Sequence, residues 1–592
     1  MVIKNRAFII LIVILLLLTG LIGRLMQLQL VSTESFTNHN INLIEASVSQ
    51  RTQELVIDQG RGRFIDRNKK ALTHEYYPTL VLFPFLKNIE WPVEEVAEIV
   101  KIPATTLKNE IQDAKKPVIV GGDRPIELTE NQMNKINNLQ IPGVFAVHRQ
   151  YELDHDIAEH LIGLIRENKD LFQKRYPEKS YLPQNTKLGI TGLQSTFDEF
   201  LLPEGEAKLL YHVAGDGGPL FGIDVKYTAP ANPYYPVAIQ TTLDKDLQLL
   251  AEKILDKNGL KKGGIVLLDV ESNDLLAMVS KPNINSSNPF EDGSAQNQMI
   301  MPQFPGSVFK TVIAAAAIEQ QQISNDRMFN CDKDLYGEGQ AEYPHGMLNF
   351  HDSFAKSCNY TFASLAQEML QKDPDVIEQY SEMLGLLGPV GWNGDVFRFQ
   401  NFKQLPNEYN GRIWTDEKDK NVPKAIAQTA IGQKDVRVTP LGVVNMMATI
   451  ARGGSKKEVR SVSDVLYKNG TTLFSFSKQD MDGPKIAPYT ASRLQELLRG
   501  VVTSGTGQRF ADLPYHVAGK SGTAQTGKKQ GEVGLVNSWF AGYFPFESPK
   551  YALVVVDLEQ QGSQSVANTI FYEMVQGIYQ IEQEKGTKTN DQ

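Results

Sequence analysis

Pro305-Gly306-Ser307-Val308-Phe309-Lys310-Thr311-Val312-Ile313-Ala314-Ala315-Ala316-Ala317-Ile318 reads as a turn running into a buried helix, with a serine in its first turn and a lysine one turn on. Helical spacing puts the Ser307 and Lys310 side chains on one face. The N-terminal end of the helix dipole favours an alkoxide developing on Ser307. Burial disfavours a charged ammonium, so the pKa of Lys310 falls and the amine becomes a proton acceptor for serine. S-x-x-K also occurs at Ser353 with Lys356 and at Ser475 with Lys478. Neither has this setting, and Ser475 lies in a polar, loop-like stretch. Taken alone, Ser307 is equally readable as a helix cap.

Two more signatures follow in order. Ser357-Cys358-Asn359 stands fifty residues after Ser307, between helical stretches. There Ser357 can relay a proton and the Asn359 amide can hold a substrate carbonyl, although Ser and Asn also simply start helices. A similar triplet, Ser286-Ser287-Asn288, precedes the nucleophile in a Pro- and Asn-rich loop. Lys520-Ser521-Gly522-Thr523 runs into Ala524-Gln525-Thr526 and reads as an exposed strand, whose edge can take up an extended peptide. Lys520 supplies positive charge, and Ser521 and Thr523 supply hydroxyls for a terminal carboxylate, with Gly522 between them. The bland alternative is a β-turn with a solvated lysine. The backbone N–H groups of Ser307 and Thr523 are natural oxyanion donors. The set amounts to acyl-transfer chemistry without a catalytic histidine or a metal.

Other chemistries fail on inspection. His155, Glu159 and His160 spell H-x-x-x-E-H, one residue too long for a zinc helix, and read as structural. Gly519 to Thr523 misses the G-x-S-x-G elbow at its last position. Cys358 is readable as a reactive thiol, as half of a disulfide with Cys331, or as a reduced buried cysteine, and the last is the expectation.

At 592 residues and a formal charge of -9, the chain should hold two or three domains and should not bind nucleic acid. Two cysteines cannot make a stapling framework. Lys4 and Arg6 precede an apolar run from Ala7 to Leu18 that extends to Arg24, long enough to cross a bilayer. Without a small-x-small cleavage site it reads as an uncleaved anchor with Lys4 and Arg6 inside and the rest of the chain outside the membrane.

Along the chain a polar stalk, Ser32 to Gln53, leads to β segments at Leu55–Ile57 and Thr79–Phe83. Asp66 to Lys69 reads as a tight turn, Val93, Val96 and Ile99 as a helix face, and Thr129 with Gln132 as a capping box. The segment Tyr227 to Val237, which carries Pro230, Pro233 and Pro236, suits a linker between domains. The expected division is therefore a cytoplasmic tail 1–6, an anchor 7–28, an N-terminal non-catalytic pedestal 29–235, a catalytic domain 236–582 and a polar tail 583–592. In the catalytic part, strands at both ends with helices between point to a mixed sheet whose first and last segments lie together. A helix from about Val566 to Ile581 should close it.

These residues resemble the penicillin-binding proteins of class B, the membrane-anchored D,D-transpeptidases that crosslink peptidoglycan. Arg61 to Asn68 is similar to the family's R-G-x-I-x-D-R-N-G, with Lys69 replacing glycine. Gly189 to Gln194 is similar to G-x-x-G-L-E, with Gln194 replacing glutamate, and His160-Leu161-Ile162-Gly163 falls where the family has such a stretch. Ile431-Gly432-Gln433, Thr439-Pro440-Leu441 and Trp539-Phe540 also match in order. The resemblance implies an α+β fold, an antiparallel sheet flanked by helices with an α subdomain, after a β-rich pedestal and one transmembrane helix. It implies Ser307 as nucleophile, Lys310 as its base, Ser357 as proton relay toward Lys520, and Asn359, Ser521, Gly522 and Thr523 as substrate-binding residues. Peptidoglycan stem peptides and β-lactams are the implied ligands, with no cofactor. The implied location is a bacterial cell membrane, single-pass, with the catalytic domain extracytoplasmic. No glycosyltransferase module is recognisable, so strand polymerisation would need a separate membrane partner. A D,D-carboxypeptidase shares every motif. A β-lactamase would need a deacylating E-x-E-L-N-type segment, a β-lactam sensor would need a cytoplasmic module, and a non-catalytic scaffold would be expected to lack one of the three motifs.

Overall fold

The computed structural model describes residues 2–31, 33, 42–43, 52–122, 125–183, 185–212, 226–324, 326–561 and 565–590. Most of the stalk expected over Ser32 to Gln53 lies outside the described residues. The N-terminal apolar run forms the helix Val2–Met26. It is the one span among the described residues long and apolar enough to cross a membrane.

The chain divides into two compact units. The smaller comprises Met1–Gly60, Glu75–Glu152 and Pro203–Pro233. Its strands Thr52–Asp58, Ala207–His212 and Lys226–Thr228 pair antiparallel, so the expected linker begins within a strand. His74–Leu82 lies between Val118–Ile119 and Val144–Glu152 in a second sheet. The helix Val93–Val100 turns Val93, Val96 and Val100 into the same core as Leu80 to Phe83. Thr129 and Gln132 cap Glu130–Asn138 reciprocally, as their spacing predicts.

The larger unit comprises Arg61–His74, Leu153–Leu202 and Tyr234–Gln592. The units are thus interleaved along the chain, where the sequence suggests one boundary near residue 235. The cause is non-local pairing: strand Arg63–Ile65 runs parallel to Ala238–Thr241. The tight turn after it is held by Asp66, whose Oδ1 accepts the Asn68 and Lys70 N–H groups at 2.8 and 2.7 Å. Lys69 takes φ +66°, the left-handed conformation that glycine adopts without penalty. Arg61 is buried and donates to Asp198 Oδ1 at 2.9 Å and to Gln194 Oε1 at 2.8 Å. Asp198 neutralises the guanidinium, so a neutral amide suffices at position 194.

The main sheet contains β1 (Gly263–Asp269), β2 (Leu275–Lys281), β3 (Ala518–Gln530), β4 (Val533–Phe544) and β5 (Tyr551–Gln561). Their order is β2-β1-β5-β4-β3, with every neighbour antiparallel. The sheet is therefore not mixed: β1–β2, β3–β4 and β4–β5 are each joined by a short turn, and such turns reverse the chain. Asn273 makes the first at φ +60°. As expected, the first segment, β1, lies against the last, β5.

Successive side chains leave opposite faces of a strand, and both faces here are covered. Val266, Leu268, Ala541, Val554 and Val556 join the core that contains the helices Lys310–Glu319, Asn359–Leu370 and Pro440–Ala451. Ile265, Leu267, Phe540, Leu553 and Val555 pack with the helices Lys245–Lys257 and Ala567–Asn590. The last helix continues through the expected polar tail. Its final turns carry no apolar stripe, but Lys585 pairs with Asp246 at 3.2 Å and Asp244 at 3.4 Å.

Candidate active site

Gly306–Phe309 is a 3₁₀ turn that leads directly into the helix Lys310–Glu319. Side chains three apart eclipse in such a turn, so Ser307 and Lys310 share a face. From Lys310 to Ala317 every residue of that helix is buried, and its run of alanines lets neighbouring backbones approach closely. The Lys310 ammonium end is thereby enclosed at the base of the site.

The other motifs arrive from two directions. The helices Phe350–Ala355 and Asn359–Leu370 are separated by a break in which Ser357 adopts φ +60°. That left-handed residue turns its carbonyl and hydroxyl toward Lys310. Lys310 Nζ donates to Ser357 O at 2.7 Å, Ser357 Oγ at 3.0 Å and Asn359 Oδ1 at 2.6 Å. From the other side Lys520 Nζ donates to the same Ser357 Oγ at 3.0 Å and to Ser521 O at 3.1 Å. Both lysines are 0% exposed. Aromatic rings back them: Lys310 lies 5.6 Å from the Phe362 centroid and Lys520 5.8 Å from that of Phe354.

Burial, with the charge of Lys520 added, holds Lys310 well below the usual lysine range. Burial lowers Lys520 to about 7. Lys310 carries the extra repulsion, so it is the first of the two to be neutral.

β3 forms the remaining wall. It is the edge strand of the sheet, as its sequence predicts, but Lys520 is buried and not a solvated turn residue. Lys520, Gly522 and Ala524 point inward, while Ser521, Thr523 and Gln525 face out or sit half-buried. Two glycines bring strand and turn together. A Cβ on Gly306 would lie 2.3 Å from Thr523 O, and one on Gly522 would lie 2.6 Å from Pro305 O and 2.9 Å from Val308 Cγ2. The backbones flanking Ser307 and Thr523 therefore meet in direct contact. Gly432 lies behind, accepting Gly306 N–H at 3.0 Å; a Cβ there would strike Gly306 O at 2.2 Å.

All three signatures thus converge, and the alternatives do not. Ser353 is fully buried and bonded to Thr361. Ser475 ends the strand Thr472–Ser475 rather than lying in a loop, and it bonds Asp464 at 2.5 Å. His160 is buried with Nε2 on Ser294 O at 2.8 Å, a structural contact.

The cysteines differ from expectation. Cys331 and Cys358 form a disulfide, with Cα atoms 5.8 Å apart. Strand Phe329–Asn330 pairs with Met347–Leu348 and delivers Cys331 to the start of Asn359–Leu370, within the range a bridge requires. Composition does not reveal that juxtaposition. Sequence reasoning also passes over Thr506, whose hydroxyl is 2.8 Å from Ser521 Oγ. The small-residue cluster Thr503-Ser504-Gly505-Thr506-Gly507 is the signal that could have found it.

Residues 263–576 match the family described as penicillin binding protein transpeptidase domain. The chain belongs to that family. Penicillin-binding protein PbpB of Mycolicibacterium smegmatis is 27% identical over 66% of this chain and 61% of its own length. Peptidoglycan D,D-transpeptidase MrdA of Haemophilus influenzae is 24% identical over 93% of this chain and 88% of its own. This near end-to-end similarity places the chain with the class B penicillin-binding proteins. Stage V sporulation protein D of Bacillus subtilis is 23% identical over 89% and 78%. A solved peptidoglycan synthase complex contains a chain with a TM-score of 0.61 at 21% identity, covering 97% of this chain and 98% of that one. A solved peptidoglycan synthetase from Bifidobacterium adolescentis gives 0.58 at 17% identity, over 90% and 97%. At those identities both structures speak to fold alone.

Proposed function

We propose that this penicillin-binding protein is a peptidoglycan D,D-transpeptidase that works through an acyl-enzyme on Ser307. The observation that carries the reading is the pair of fully buried lysines sharing the Ser357 hydroxyl at 3.0 Å each. A buried amine that is easily neutral is a base, and its charged neighbour is an electrostatic anchor.

Ser307 Oγ attacks the carbonyl carbon of the penultimate D-alanine while its proton passes to Lys310. Three acceptors surround Lys310 Nζ, one more than a neutral amine can serve. One contact gives way as the lone pair turns to Ser307. The backbone N–H groups of Ser307 and Thr523 hold the oxyanion. When the C–N bond breaks, Ser357 delivers the proton to the departing D-alanine, between the two lysines. An amine from a neighbouring strand then attacks the Ser307 ester and regenerates the hydroxyl. Asn359 and the outward edge of β3 orient the stem peptide, Ser521 and Thr523 present hydroxyls to its terminal carboxylate, and Lys520 supplies positive charge from behind them. A β-lactam acylates Ser307 by the same attack, its leaving group remaining tethered.

The helix Val2–Met26 serves as a single membrane anchor in a bacterial cell membrane, with Lys4 and Arg6 on the cytoplasmic side. Strand polymerisation falls to a separate membrane glycosyltransferase. The similar peptidoglycan synthase complex coordinates polymerization and crosslinking, in keeping with such a partner.

Intact-protein mass spectrometry after labelled penicillin should show one adduct on the wild type and none on Ser307→Ala. An adduct on the variant would mean the nucleophile is another residue. Pentapeptide donor should give crosslinked product when an amine acceptor is added and none when it is withheld; trimmed peptide alone in the presence of acceptor would make the protein a carboxypeptidase.

A further inference from the structure

A cavity of about 760 Å³, open mouth included, lies in the larger unit away from the catalytic lysines. One wall comes from two stretches that the sequence singles out and the chemistry above leaves unused: His160 to Gly163 and Gly189 to Gln194. Glycines lock them together, because a Cβ on Gly163 would lie 2.1 Å from Thr191 O and one on Gly192 would lie 2.4 Å from Leu161 O. Gln404 makes the back wall rigid, its amide bonding Ser461 and Val462 four times.

The lining has a clear chemical character. It contains no aspartate, glutamate, lysine or arginine. Its one ionisable imidazole, His160, is pushed down to about 4 by burial and is neutral near pH 7. Ile300, Met301 and Leu405 supply apolar surface. Gln296 and Asn407 present amides, and Tyr409 an exposed phenol; none of these three side chains has a partner among the described residues. Tyr409 is tied in by its N–H to Ile300 O at 3.1 Å. Uncharged amides, an aromatic ring and an apolar floor together suit a neutral ring that carries hydroxyl and acetamido groups.

We propose that this cavity is a saccharide subsite for N-acetylated hexosamine units. The identity of the sugar rests on the transpeptidase reading above, because it takes the sugar to be part of the same polymer as the stem peptide. Distance along the chain is compatible. Met301 precedes Ser307 by six residues, so the cavity edge is at most about 22 Å from the nucleophile. A stem peptide reaching its fourth residue spans roughly 14 Å when extended. Between them, Gln303 is fixed by a two-way backbone pair with Val438, at 2.8 and 3.0 Å, and Phe304 O accepts Trp539 Nε1 at 2.9 Å. Sugar held in the cavity would thus set the peptide's approach to Ser307 through a firm segment.

The test uses the full chain in detergent with N,N′-diacetylchitobiose as the probe, read by ligand-observed NMR titration. Wild type should bind with a Kd on the order of millimolar, and Gln296→Ala/Tyr409→Ala should weaken it by about tenfold, the loss expected from roughly 1.4 kcal/mol of contacts. Glucose, which lacks the acetamido group, should not compete. Both proteins should still form the penicillin adduct at Ser307 at equal rates. Equal titrations for wild type and variant, absence of any shift, or full competition by glucose would each overturn the subsite. Failure of the adduct in wild type would overturn the transpeptidase reading instead, whatever the sugar does.

Discussion

Lys310 and Lys520 can be no further apart than their two 3.0 Å bonds to Ser357 Oγ laid end to end. At that range, in a buried setting, two ammonium ions repel strongly. Proton occupancy of one amine therefore depends on the charge of the other, and this makes the roles separable by pH. The acid limb of Ser307 acylation by penicillin reports protonation of Lys310. In Lys520→Met the repulsion that lowers Lys310 is gone, so Lys310 binds its proton more readily and the acid limb should move to higher pH. A limb that stays in place, or moves to lower pH, would remove Lys520 as the cause. Stability should follow a related rule. Lys520 titrates near 7 in the folded chain against 10.5 for an ordinary lysine. Between those values the unfolded chain holds the extra proton, and stability rises with pH. Urea midpoints of wild type should climb from pH 7 toward 10, and those of Lys520→Met should climb less.

Edge strand β3 and the 3₁₀ turn work as one element because glycine is the only residue that fits between them. In Gly522→Ala the new methyl would meet backbone atoms, Pro305 O at 2.6 Å and Val308 N at 3.2 Å, which cannot swing aside as a flexible side chain could. The strand must withdraw from Ser307, and acylation should fall by about a hundredfold, the scale of an ångström-sized misplacement. Gly534→Ala on the neighbouring strand β4 has nothing within 4 Å and no positive φ, and should acylate like wild type. Equal rates for both variants would sink the idea. The disulfide links the hairpin at Cys331 to the residue next to Ser357. Closing a loop with a sequence separation of 27 contributes roughly 3.5 kcal/mol in the chain-entropy account. Reductant should lower the melting temperature of wild type and leave that of Cys331→Ser/Cys358→Ser unchanged, with thiol counts by mass spectrometry confirming reduction. Elements such as these divide sharply in how legible they are from sequence. Ser307 with Lys310, and the alternation of β3, obey local periodicity and can be read. The Gly306–Thr523 contact and the Cys331–Cys358 pairing join distant positions, and no local pattern records a distance.

At the scale of the whole molecule, the same division explains why a single boundary near 235 looks natural. Prolines at 230, 233 and 236 punctuate the chain there, yet Arg61–His74 and Leu153–Leu202 belong with the larger unit. They contribute Phe64, Leu193, Phe197 and Leu201, each fully buried in its core. Phe197 packs edge-on against Phe402 at 5.2 Å and Phe476 at 5.8 Å, and strand Arg63–Ile65 completes a sheet with Ala238–Thr241. Removing four such side chains uncovers the partners they pack against, such as Phe402 and Phe476, at a cost of about 2 kcal/mol or more each, a sum comparable with the whole stability of a domain. A chain beginning at residue 236 should therefore be recovered unfolded or aggregated, although it holds every catalytic motif and the whole family match. Excision of residues 75–152 is the informative contrast. The ends it leaves already meet, since Leu153 N–H donates to Thr73 O at 3.3 Å, and a short Gly-Ser bridge can join them. That shortened chain should melt cooperatively and acquire the penicillin adduct at Ser307. If the chain from 236 instead purifies as a monomer and acylates at the wild-type rate, the two early segments are ornaments of the larger unit rather than parts of its core.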